Sequence, residues 1–314
     1  MTISKKYGTA LILHYIKQSG NFCGFTAFYG QPTLCFFHLS LGKQSAAIFL
    51  SPFPVFLRET SCISPRGELY CRMKRTGKII FVADAHIMNT PASSDGFFDM
   101  LGRIGESDCD VVFLGDIFEL WIAFDAYEES VHKRFLDWCR REKEKRMIGF
   151  LEGNHEFYVS NRHADAFSWS SEKDYCLPGG KICVTHGDRL NKDDVLYLIF
   201  RSFMRNPVTR SLVRLFGPLV GRPLSRRILL GLKNKNMKHK KHFPEKYFQR
   251  LADSMHRKNR TLCVMGHFHQ SASIRGIHVL PAWESEDGEI GVYDCAAEQY
   301  HRIPWRNFFP EKGQ

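Results

Sequence analysis

Nowhere in the 314 residues is there a run of about 18 apolar residues free of charge, so no membrane-spanning helix is expected. The ten cysteines form neither a Cys-x-x-Cys pair nor a compact framework, which speaks against a disulfide scaffold and for reduced intracellular thiols. Internal repeats and low-complexity tracts are also lacking. Residues 1–72 contain no aspartate and only two glutamates, Glu59 and Glu68, yet they carry Cys23, Cys35, Cys62, Cys71 and eight phenylalanines. Gly and Pro are scattered through this stretch without helical or strand period. Its mildly apolar piece, Ala10 to Ile16, is not followed by a small-residue cleavage site, which argues against a signal peptide. At Met73 the composition changes. We expect residues 1–72 to be an extension without a fold of its own, or an upstream stretch preceding the physiological start, and 73–314 to be the folded domain.

What is present is enough for a core: 44% of residues are hydrophobic. Net charge is +11, and it is concentrated. Between Arg201 and Arg260 there are 17 Lys and Arg against two acids, Glu245 and Asp253, so the rest of the chain is net acidic. A basic stretch of this kind attracts nucleic acid, anionic lipid or a phosphorylated substrate. Outside it, short apolar runs alternate with helical patterns. Ile79–Ala83, Val111–Leu114, Met147–Leu151, Ile182–Thr185 and Thr261–Met265 read as buried strands. Helices are expected near Asp95–Gly105 and Tyr127–Lys145, the second with Val131, Phe135, Trp138 and Cys139 at helical spacing. Short strands near Ile277–Leu280 and Ile290–Cys295 close an α/β pattern.

Each of the five runs ends in polar residues, the place where α/β sheets bind ligands. In order these are Asp84-Ala85-His86, Gly115-Asp116, Gly153-Asn154-His155, His186-Gly187-Asp188 and Gly266-His267-Phe268-His269. Any one of them alone is commonplace, since Gly-Asp after a strand is usually a turn. Five together point to a dinuclear metal site. In Asp-x-His and His-x-His the two side chains leave an extended segment on the same side. Imidazole and carboxylate suit Mn, Zn or Fe without any thiolate. Two cations about 3.5–4 Å apart can share a carboxylate and a hydroxide and clamp phosphoryl oxygens.

These motifs resemble the calcineurin-like metallophosphoesterases over roughly residues 78–295. The resemblance implies a sandwich of two mixed β-sheets flanked by helices, with a helical cap insertion about 195–258. It also implies that Asp84, His86, Asp116 and His269 hold one divalent ion, and that Asp116, Asn154, His186 and His267 hold the other. Asp116 would bridge the ions, and His155 would assist the leaving oxygen. The ions implied are Mn2+, with Zn2+ or Fe2+ as alternatives. A narrower resemblance is to the UDP-2,3-diacylglucosamine pyrophosphatase family of lipid A biosynthesis. It is carried by Gly115-Asp116-Ile117-Phe118-Glu119-Leu120-Trp121 and by His186-Gly187-Asp188-Arg189-Leu190-Asn191-Lys192-Asp193-Asp194, with Tyr197 and Arg201 in register. It implies an acylated, anionic nucleotide-sugar substrate, touched by Asn154, His155, Asp194, Tyr197, Asn236, Lys240 and His267. It also implies a cytoplasmic enzyme peripheral to the inner membrane. His155 stands where the narrower family carries arginine; histidine there is the pattern of the wider superfamily.

The segment Arg205–Lys241 mixes apolar residues such as Leu212, Leu215, Phe216 and Leu230 with Arg210, Arg214, Arg222, Arg226, Arg227 and five lysines, and Pro207, Pro218 and Pro223 divide it. Two readings stand side by side. One is an ordinary cap with its apolar face on the body. The other is an acyl-chain pocket touching an anionic membrane surface. Aromatics are few here, Phe216 and the neighbouring Phe203, which disfavours a base-stacking platform, so nucleic acid is not the expected partner.

Overall fold

The computed structural model describes residues 77–217, 244–283 and 287–310, together with the backbone of four strands between residues 12 and 48. The chain divides into two units, Met1–Cys62 and Ile63–Gln314. In the first, β1 (Ile12–Gln18) pairs antiparallel with β2 (Asn21–Ala27), and β3 (Phe37–Leu41) with β4 (Gln44–Ile48). The sequence shows no strand period there, and these two hairpins are seen in the backbone alone.

In the second unit the apolar runs are strands, and they assemble into two mixed sheets. The first sheet has six strands in the order β10 (Trp169–Ser171), β8 (Ile148–Leu151), β6 (Asp110–Phe113), β5 (Lys78–Val82), β16 (Glu289–Asp294) and β17 (Gln299–Pro304). Its β10, β8, β6 and β5 run parallel, while β16 pairs antiparallel with β5 and β17 antiparallel with β16. The second sheet orders β11 (Tyr175–Cys176), β12 (Ile182–Thr185), β13 (Leu262–Met265), β15 (Ile277–Val279) and β14 (Ala272–Ile274), with β12, β13 and β15 parallel. A two-stranded ladder, β7 (Trp121–Ile122) with β9 (Glu156–Phe157), ties the loops that follow β6 and β8.

Strand alternation assigns the layers. Ile79, Phe81, Val112, Leu114 and Leu151 face Val184, Leu262, Val264 and Leu280 in a core between the sheets. The neighbouring positions Ile80, Val82, Val111, Phe113 and Phe150 turn outward, onto helices α1 (Pro91–Glu106) and α2 (Ser130–Glu142). Phe97, Leu101 and Ile104 on α1, and Val131, Phe135 and Cys139 on α2, are the buried stripes that cover that face. Against the outer face of the second sheet lies α4 (Glu245–Arg257), whose Phe248, Ala252 and Met255 pack on Cys183, Cys263, Met265 and Val279. This helix falls inside the insertion expected at 195–258, yet it is an outer layer of the body. Its apolar residues recur every three to four positions and bury a full stripe. The described part of the insertion is α3 (Val195–Met204) and a helical stretch over 207–217. Among the described residues no helix is long and apolar enough to cross a membrane.

Candidate metal centre

The loops after the parallel strands run alongside one another. Asp84 N donates to Gly115 O (3.1 Å) and His86 N to Asp116 O (3.0 Å), while Gly266 N donates to His186 O (3.1 Å). Ligand-bearing positions of neighbouring strands are thus pinned by shared backbone bonds. The pinning demands unusual backbone. Asp84, His86, Asp116, His267 and His269 all have positive φ, between 47° and 73°. Non-glycine residues rarely occupy that region, and they persist in it where the surroundings over-determine a functional geometry. Gly153 and Gly266 answer a different need, close approach: a Cβ on the first would collide with the Asp116 carboxylate, and on the second with that of Asp84.

All seven residues expected as ligands come together. Ligand atoms of Asp84, His86, Asp116 and His269 lie within 4.8 Å of one another, and so do those of Asp116, His186 and His267, with Asp116 common to both groups. Asn154 joins the second group: its Oδ1 is 3.0 Å from His186 Nε2 and 2.8 Å from His267 Nδ1. His86 Nε2 is 3.0 Å from His269 Nε2, which lies 3.4 Å from Asp84 Oδ1. His155 sits beside the bridge, Nε2 3.8 Å from Asp116 Oδ2.

Divalent ions fit this arrangement. Asp84 Oδ1 and Asp116 Oδ2 are buried without a hydrogen-bond partner among the described residues. A buried acceptor left unsatisfied costs about 1–3 kcal/mol, and more when charged, so two such oxygens facing a ring of imidazoles call for cations. Two imidazoles beside Asp116 are oriented by backbone bonds. His186 Nδ1 donates to Leu114 O (2.9 Å) and His155 Nδ1 to Glu119 O (2.6 Å), which leaves each Nε2 facing Asp116. The charges agree. Burial pushes the Asp84 carboxyl up, but the His269 and His186 imidazoles overcome it and bring it down to about 2. Asp116, likewise opposed by burial, is held well below the carboxylate range by His155, His186 and His86. Burial would lower His186, yet Asp116 and Asp84 raise it to about 10. The anionic charge of two buried aspartates thus favours the protonated form of the His186 imidazole.

Three features escaped the sequence reading. Glu156, wholly buried, accepts N–H bonds from Asp116 (2.8 Å), Ile117 (2.7 Å) and Gly153 (2.7 Å), so one carboxylate orders two ligand loops. Burial and the Asp116 charge push it up to about 7, against the Gly153 N–H. Glu119 Oε2 lies 3.3 Å from His86 Nδ1, the usual arrangement of a carboxylate behind a ligand histidine. Glu152 pairs with Arg205 at 2.7 Å. An acid directly after Asn154-His155 was the one available hint for Glu156. Of the expected substrate contacts, Asp194 is exposed and caps α3, accepting from Tyr197 N (3.1 Å). The Tyr197 hydroxyl donates to buried Asp188 (2.5 Å), beside Arg201 Nε (2.6 Å), and its ring lies 6.4 Å from that of His267. Asn236 and Lys240 fall outside the described residues.

Residues 77–271 match the family model of the calcineurin-like phosphoesterases. The chain belongs to that family. It is therefore a hydrolase of phosphoric ester or anhydride bonds, from a family that binds divalent metals. Among curated proteins, this phosphoesterase is 30% identical over 206 residues to UDP-2,3-diacylglucosamine hydrolase of Blochmanniella pennsylvanica, covering 62% of this chain and 80% of the relative. It is 26% identical over 240 residues to the protein of that name from Klebsiella pneumoniae, covering 71% and 98%. A solved structure from Thermus thermophilus aligns with 73% of this chain and 99% of its own, at 10% identity and a TM-score of 0.35, too low to add to the sandwich described above.

Proposed function

We propose that this phosphoesterase hydrolyses the pyrophosphate bond of UDP-2,3-diacylglucosamine, giving UMP and 2,3-diacylglucosamine 1-phosphate. One observation carries the reading beyond the family. The segment bordering the site exposes many large apolar side chains: Leu196 (82% exposed), Ile199, Phe200, Phe203, Val208, Leu212, Leu215 (68% exposed) and Phe216. Soluble proteins rarely leave such a patch open without a use for it. A small soluble phosphate ester has no need of it, whereas two acyl chains do. The names of the relatives support the same substrate.

In this reading Asp84, His86, Asp116 and His269 hold one ion, and Asp116, Asn154, His186 and His267 the other, both Mn2+, or Zn2+ or Fe2+ in its place. The bound ions would polarise the phosphoryl oxygens and activate the attacking water. Water attacks phosphorus and releases a proton to solvent, the bridging P–O bond breaks, and the departing phosphate oxygen takes a proton held at His155 Nε2, which solvent then restores. Asn154, His155 and His267 contact the substrate from the site, and Asp194 and Tyr197 contact it from the cap. The exposed apolar face, with Arg214 exposed on it, rests on the anionic cytoplasmic side of the inner membrane.

A soluble phosphomonoesterase or phosphodiesterase of the same fold is favoured by one observation, His155 in place of arginine. The test is product formation by the purified chain with Mn2+, comparing UDP-2,3-diacylglucosamine with a generic aryl phosphate. Strong preference for the first, with UMP released, is expected; equal or reversed preference would establish the soluble phosphoesterase.

A further inference from the structure

Arg205 lies immediately after α3, between the two described helices of the insertion, and its side chain is 7% exposed. Nη1 donates to Glu152 Oε2 (2.7 Å), and Nη2 donates to both Gly153 O (2.7 Å) and Glu156 O (3.1 Å). The two carbonyls bracket Asn154 and His155. One planar fork therefore grips both ends of the span that presents these residues to the site, a geometry that a lysine ammonium does not reproduce. Glu152, 1% exposed, is itself fixed: its Oε1 accepts from Ser160 N (2.7 Å) and Ser160 Oγ (2.8 Å). The guanidinium also lies 5.4 Å over the Phe157 ring. A buried charge with this many fixed partners has one position, and the loop it grips inherits it.

We propose that Arg205 is a positioning residue that couples the seat of the insertion to the metal centre, by holding Asn154 in place against His186 and His267. The inference rests on the two-ion reading above. It differs from that reading in predicting a one-sided defect: loosening Arg205 weakens the ion held by Asn154, His186 and His267, and leaves the ion held by Asp84, His86 and His269 intact.

The test is Mn2+ titration by calorimetry of the full chain after chelator stripping, with Asn154→Ala and His86→Ala as references for the two ions. In Arg205→Gln, the ion lost in Asn154→Ala is expected to bind about 10- to 100-fold more weakly, the range seen when a residue supporting a metal ligand is removed. The ion lost in His86→Ala should stay within about twofold of wild type. Arg205→Lys keeps a charge opposite Glu152 but not the fork, and should show the same one-sided loss, smaller in size. It carries the test on the same criterion if circular dichroism shows Arg205→Gln unfolded. Equal weakening of both ions, or of neither, would overturn the proposal. Wild-type protein binding fewer than two ions would instead overturn the two-ion reading.

Discussion

Replacing Leu215 and Phe216 together by serine separates the acylated substrate from a soluble one. Fully burying a leucine or phenylalanine side chain stabilises by about 1.5–3 kcal/mol. Leu215 is 68% exposed and Phe216 49%, so roughly half to two-thirds of that burial, about 1–2 kcal/mol each, remains available to acyl chains. Losing both removes about 2–4 kcal/mol, a fall in kcat/KM of about 30- to 1,000-fold on UDP-2,3-diacylglucosamine. Because the two side chains are largely open, the fold should lose little; surface changes of this kind usually stay within about 0.5 kcal/mol. Circular dichroism and the melting temperature should therefore match wild type. Turnover of an aryl phosphate, which reaches the centre without the apolar face, should be unchanged. A folded double variant that loses both activities equally, or neither, would refute the acyl-chain role.

Asp116→Ala removes the one residue shared by both groups, and elemental analysis should find both ions depleted, with turnover lower by about 1,000-fold or more, corresponding to several kcal/mol of lost transition-state stabilisation. Two ions per chain in that variant would exclude Asp116 as the bridge. A chain beginning at Met73 should keep its metal content, melting temperature and turnover, since the three cores of the described structure begin at Ile79; a marked drop in any of them counts against this. Arg146→Met should destabilise the fold by about 3–5 kcal/mol, measured by urea melts, because the side chain is 4% exposed and its guanidinium binds Glu142, Ser107 O, Cys109 O and Gly105 O. Burial raises the Glu142 carboxyl, but Lys145 and Arg146 lower it on balance, below its ordinary range. The pair's contribution should therefore be present at neutral pH and lost only as pH falls through that depressed value; a wild-type minus Arg146→Met difference that is flat down to strong acid would contradict this.

The five ligand strands were legible because buried parallel strands read as continuous apolar runs, whatever packs on them. Ile182–Thr185 matches the observed strand at both ends, and the other four runs differ from β5, β6, β8 and β13 by a residue at one or both ends. The short strands β7, β9, β10, β11 and β14 were not legible. Two or three residues carry no period, and their pairing is imposed by what lies beside them. The edge strand β17 was also missed, since its half-exposed Gln299–Pro304 shows no apolar run.

The sequence by itself determined which side chains are candidates for the metal centre. A metal ligand must be a particular side chain, delivered by a strand end, and both conditions are written locally in Asp84-Ala85-His86, Gly115-Asp116, Gly153-Asn154, His186 and His267-Phe268-His269. Only the tertiary structure decided what holds those ligands and what stands over them. Glu156 acts on Asp116 across 40 positions and Arg205 on Glu152 across 53. Whether Leu196 and Leu215 pack inward or stay open depends on the surface opposite them. Such partnerships are set by distance in space, and a residue's type carries no record of which distant residue will satisfy it.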